Sequence, residues 1–150
     1  MVAYCRLDDR EIRLREPILE PDALIIQDPT LLHQVDVFSG LKADGLVLIN
    51  TSRSLESLGL GDFAQTHPEA RLVTVPASEI ALKHVGRPMP NAALLGGFAA
   101  LSGLISVDSV AKAIREKFPS RIAEGNVAAA SAAHDHVRSA VGKAAHAQAD

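Results

Sequence analysis

Three uninterrupted apolar runs of strand length constrain the fold of this chain most strongly. They occupy residues 23–27, 45–50 and 71–75, where Leu, Ile and Val dominate. Strands that are apolar on both faces are typical of a parallel sheet covered on both sides. Helical signals follow each run, at 29–35, 62–67 and 77–85. This alternation predicts an α/β fold, an open and mostly parallel sheet with helices on both faces.

The two ends of the chain differ from this central pattern. Residues 1–7 and 11–14 have strand character and flank a turn at Asp8-Asp9-Arg10, which predicts an N-terminal β-hairpin. From Asn91 onward the pattern indicates C-terminal helices: a buried Ala/Leu/Gly helix capped by Asn91, a second over 107–118 capped by Ser106, and a third over about 123–141. We predict one domain, 1–142, followed by a flexible tail, 143–150.

Composition excludes several classes of function. The 150 residues carry a net charge of −3 without a basic stripe, so nucleic acid is not an expected partner. The one cysteine, Cys5, cannot by itself hold zinc or an iron–sulfur cluster, and no metal site is predicted. No apolar run is long enough to span a bilayer, and the start lacks the basic-then-apolar order of a secretory signal. We therefore expect no membrane association and a cytoplasmic location.

Candidate binding residues cluster where the predicted strands end. In open α/β sheets, ligands collect at the carboxyl ends of the strands, and here polar segments at 27–30, 50–53 and 76–79 follow those ends. Thr30 and Thr51 are candidates for cofactor binding, because adjacent helix N-termini offer free amides to an anion. The alternative is that Asp28, Ser78 and Asn91 merely cap helices, the commonest role of such residues.

The segment Gly86-Arg-Pro-Met-Pro-Asn91 is the most distinctive in the chain. Two prolines stiffen it, and Arg87 offers a bidentate donor directly before the buried helix that begins near Asn91. Arg87 and Asn91 are therefore further candidates for holding a phosphate or carboxylate. Docking of a partner subunit is a second possibility, and satisfaction of helix carbonyls by Arg87 is a third.

No catalytic constellation emerges from the sequence. Phosphate-loop, nucleophile-elbow and His-Glu-x-x-His motifs are absent, and His134 and His136 are two residues apart on a helix, too far around it to share a metal. We predict no catalytic residue in this chain. These features favour a structural or binding subunit.

Several segments, taken in order, resemble the gamma subunit of the 2-oxoacid:ferredoxin oxidoreductases of the pyruvate and 2-oxoisovalerate type. The similarity covers about residues 1–140. The matching segments are AYCRLDD (3–9), IRLR (12–15), EPDALIIQDPT (20–30), GLVLINT (45–51), VPASEIA (75–81), GRPMPN (86–91), LLGGFAA (94–100), FP (118–119) and AEGN (123–126).

The resemblance implies participation in oxidative decarboxylation of a 2-oxoacid to acyl-coenzyme A and CO2. It implies thiamine diphosphate and [4Fe-4S] clusters held by other chains, with coenzyme A as substrate, and no cofactor bound by this chain alone. The implied partners are alpha, beta and delta-type subunits, with ferredoxin or another acceptor reached through the complex. The implied role is subunit docking, with a contribution to the coenzyme A side. The alternative is a stand-alone α/β module that binds an acyl-coenzyme A or nucleotide at the strand ends.

One departure from that family concerns the first segment. Family members normally begin with a strand, a Gly-rich loop and a helix ahead of the part matched by residues 2–7, and this sequence contains none of these. We expect either a fragment, a late start, or a first βα unit that another chain supplies.

Overall fold

The computed structural model describes the backbone of residues 1–149 and the side-chain environments of residues 1–143. A three-stranded parallel sheet in the order β1-β2-β3 forms its centre. Backbone pairing aligns Ala23 with Leu46 and Leu46 with Arg71. The elements are β1 (Ala23–Ile26), a 3₁₀ helix (Pro29–His33), β2 (Leu46–Asn50), α1 (Gly61–Thr66), β3 (Arg71–Val75), α2 (Ala77–Val85), α3 (Asn91–Ser102), α4 (Val107–Lys117) and α5 (Ser120–Ala149).

The predicted open parallel sheet and the C-terminal helices are confirmed, and the two faces of the sheet are covered differently. Leu48 of β2 lies in a core formed with α3 and α5. On the opposite face, Val47 and Ile49 pack against Leu32 of the 3₁₀ helix and against two irregular segments, 37–41 and 55–60. The connection between β1 and β2 contains a 3₁₀ helix and irregular segments in place of an α-helix, so α-helices cover one face of the sheet and these segments cover the other.

Helix α3 packs closely against α5 and against Leu48 of the sheet. Seven of its twelve residues are buried, among them Gly96 and Gly97. A Cβ atom at Gly96 would overlap the backbone carbonyl of Ala130 on α5, so these helices approach at backbone distance. The predicted burial of this helix is therefore confirmed, and the absence of a side chain at Gly96 permits it.

The predicted N-terminal β-hairpin is not formed. Residues 1–22 contain no strand, and seven large apolar side chains between Met1 and Leu19 remain exposed. A two-stranded hairpin without a surface to cover is marginal in water, which explains why the strand-like sequence stays unpaired.

Helix boundaries correct three further predictions. Asn91 does not cap α3: Pro90 occupies the N-cap and accepts the Leu94 N–H at 2.8 Å. The predicted helix at 29–35 is a 3₁₀ helix that ends at His33. Helix α5 begins at Ser120 instead of near 123, because the Pro119 carbonyl accepts from the Ala123 N–H at 2.8 Å. A proline tolerates this position because it has no N–H to leave unpaired.

The C-terminal boundary also differs in part. Helix α5 continues through Ala149, past the predicted domain limit at 142. The predicted flexible tail, 143–150, lies mostly outside the residues whose side chains the structure describes, and Asp150 lies outside altogether. The flexibility of this tail stays a prediction. Among the described residues, no helix has both the length and the apolar character needed to cross a bilayer.

Candidate functional site

A cleft of about 490 Å³ opens at the carboxyl ends of the three strands. This is the edge at which the sequence predicts ligands to collect, because parallel strands end on the same side. Residues following each strand contribute to the wall, and the 86–91 loop closes it. The lining residues are Gln27, Asp28, Pro29, Asn50, Thr51, Ser52, Pro76, Ser78, Glu79, Pro88 and Pro90.

Asn50 holds the floor of this cleft together. Its side chain is 7% exposed and donates from Nδ2 to the Gln27 carbonyl at 3.0 Å and to Ser78 Oγ at 2.9 Å. Its Oδ1 accepts from the Ser78 N–H at 3.2 Å. One amide thus joins the end of β1, the end of β2 and the first turn of α2. Because all of these groups are paired, Asn50 fixes the cleft's shape and presents no free donor.

Thr30 and Thr51 occupy different environments. Thr51 lines the cleft, where its Oγ1 accepts from the Arg53 N–H at 3.1 Å. Thr30 is absent from the lining: its Oγ1 donates to Asp28 Oδ1 at 2.7 Å and its N–H donates to the same oxygen at 3.0 Å. These two hydrogen bonds lower the pKa of Asp28. The capping alternative for Asp28 is confirmed.

Arg87 and Asn91 do not enter the cleft. Both are exposed, and the neighbouring prolines, Pro88 and Pro90, form that wall instead. Gly86 ends α2 in the left-handed conformation at φ 84°, as predicted, and this turn carries the chain out toward solvent at Arg87. The structure thus brings Thr51 to the cleft and leaves Thr30, Arg87 and Asn91 outside its lining.

The cleft wall is rich in acceptors and contains no lysine or arginine. Asp28 and Glu79 supply two carboxylates, and three hydroxyl side chains accompany them. Arg53, next in sequence, turns away and donates to the side chain and carbonyl of Ser57. A polyphosphate would meet like charge here, whereas a cationic or N–H-bearing group would meet acceptors.

The residues that could ligate metal are dispersed. His134 lies beside Asp135, with Nδ1 and Oδ1 3.6 Å apart. Cys5 is free and exposed. Within the part of the chain that the structure describes, no three His, Cys, Asp or Glu side chains converge on one point.

Asn50 and Glu79 belong to the polar segments 50–53 and 76–79 predicted at the strand ends, although neither is among the named candidates for cofactor binding. An asparagine that ends an otherwise apolar buried strand is the signal that points to Asn50, because a buried amide requires partners. Glu79 shares the position of its segment at the end of β3, and no further signal in the sequence distinguishes it from its neighbours.

Comparison with known proteins identifies the family of this chain. Residues 1–136 match the family described as pyruvate ferredoxin/flavodoxin oxidoreductase. The chain is 41% identical over 138 residues to the pyruvate synthase subunit PorC of Methanothermobacter marburgensis, covering 92% of this chain and 72% of that protein. It is 39% identical over 130 residues to the pyruvate/ketoisovalerate oxidoreductases common subunit gamma of Pyrococcus abyssi, covering 87% and 69%.

A solved structure supports the same assignment. The crystal structure of pyruvate oxidoreductase subunit PORC from Thermotoga maritima matches with a TM-score of 0.66 and 25% identity, over 79% of this chain and 64% of that one. The chain therefore spans roughly two thirds of the solved protein and about seven tenths of the curated relatives. The resemblance drawn from the sequence is confirmed: this chain belongs to the pyruvate ferredoxin/flavodoxin oxidoreductase family.

Proposed function

We propose that this chain is the gamma subunit of a 2-oxoacid:ferredoxin, or other acceptor, oxidoreductase. The carrying observation is the continuous family match over residues 1–136 together with similarity to relatives named as gamma or PorC subunits. In this role the chain supports oxidative decarboxylation of a 2-oxoacid to acyl-coenzyme A and CO2. It contributes contact surface, and companion subunits of alpha, beta and delta type carry out the redox steps.

The cofactors of such a reaction do not fit the side chains present here. A [4Fe-4S] cluster is held by several thiolates, and this sequence has the single Cys5. The cleft at the strand ends has two carboxylates on its wall and no basic side chain for a diphosphate. We therefore assign thiamine diphosphate and the clusters to companion subunits, and we derive no chemical step on this chain.

Coenzyme A is a separate case, because Arg87 lies on the loop that borders the cleft. Its side chain is exposed and absent from the cleft lining, so a phosphate bound there would lie outside the cleft. The predicted roles of Thr30, Thr51, Arg87 and Asn91 in cofactor binding stay predictions, as does the cytoplasmic location.

Co-expression with candidate alpha, beta and delta subunits tests the proposal. We expect one complex in which 2-oxoacid-dependent reduction of a viologen dye requires this chain, while the chain alone has no turnover. The control is the same preparation without this chain. Turnover by the purified chain, or a fully active preparation without it, would overturn the proposal.

The alternative function, a stand-alone acyl-coenzyme A or nucleotide module, can be tested on the isolated chain. That function predicts a rise in Tm of the isolated chain with acetyl-coenzyme A, and loss of that rise in Arg87→Ala. The acidic lining leads us to expect no such rise. A saturable rise that Arg87→Ala abolishes would favour the module over the subunit.

A further inference from the structure

We draw no further inference here: the strongest candidate, the cleft at the carboxyl ends of the three strands with Asp28 and Glu79 on its wall, belongs to the site already described, and the part of the chain that the structure describes does not show what occupies it.

Discussion

Substituting alanine for Gly96 would test the backbone-distance contact between α3 and α5. The added Cβ would overlap the carbonyl of Ala130, whose carbonyl carbon and Cα would lie only 2.6 and 2.7 Å away. All of these are backbone atoms, so relief requires the two helices to separate. Overpacking of this kind typically costs about 1–3 kcal/mol, and an immovable backbone neighbour places Gly96→Ala near the upper end of that range.

An opposing gain must be subtracted from this cost. Alanine is more favourable than glycine in a helix interior by about 1 kcal/mol. We therefore expect Gly96→Ala to lower the free energy of unfolding by about 2 kcal/mol. For a chain of this length the Tm would fall by roughly 4–8 °C.

Gly97 provides the matched control on the same helix. A Cβ there would lie 3.2 Å from methyl groups of Leu48 and Val137, and side chains can shift where a carbonyl cannot. The helix-propensity gain should offset the tighter contact, leaving Gly97→Ala within about 1 kcal/mol of wild type. Urea unfolding followed by circular dichroism would measure all variants. A Gly96→Ala chain as stable as wild type would refute the argument, as would rescue by Ala130→Gly, which leaves the clashing carbonyl in place.

Three further predictions concern individual polar contacts. Asn50→Ala leaves the Gln27 carbonyl and the Ser78 N–H unpaired at the cleft floor, and should lower the free energy of unfolding by about 2 kcal/mol in urea titrations. Arg115 lowers the pKa of Glu124 by hydrogen bonding and charge, so Arg115→Ala should return the Glu124 midpoint to its ordinary value in a carboxyl NMR titration. In Thr30→Val the pKa of Asp28 should rise but stay below its ordinary value, because the backbone N–H at position 30 still donates.

The direction of the Glu124 pKa shift determines how the stabilisation by the Arg115–Glu124 pair depends on pH. The folded-state pKa of Glu124 is lower than in the unfolded chain, so the pair stabilises the fold above the ordinary carboxyl pKa. That contribution is lost as the pH falls through the lowered value.

An unshifted Glu124 midpoint in wild type would contradict the pairing, and an unchanged unfolding free energy in Asn50→Ala would contradict the role given to that amide. A Thr30→Val chain with an unchanged Asp28 midpoint would show that the Thr30 hydroxyl contributes nothing.

Local sequence determined the elements whose signals do not depend on distant partners. Each apolar run became a parallel strand within a residue or two of its predicted bounds. Gly86 and Ser106 ended α2 and began α4 as predicted, because caps depend on neighbouring backbone groups. The order of strands and helices was enough to place the cleft at the strand ends.

Tertiary structure alone decided which side chains reach that cleft and which segments pair. Thr51 and Arg87 are both candidate binding residues in the sequence. The turn at Gly86 carries Arg87 away from the cleft, whereas Thr51 lines its wall. The strand-like segment at 11–14 stays unpaired because period-two alternation specifies a face to bury but does not supply the surface that buries it. Local patterns fix backbone conformation through near neighbours, whereas burial and pairing depend on atoms that the fold, or a partner, must bring from far along the chain.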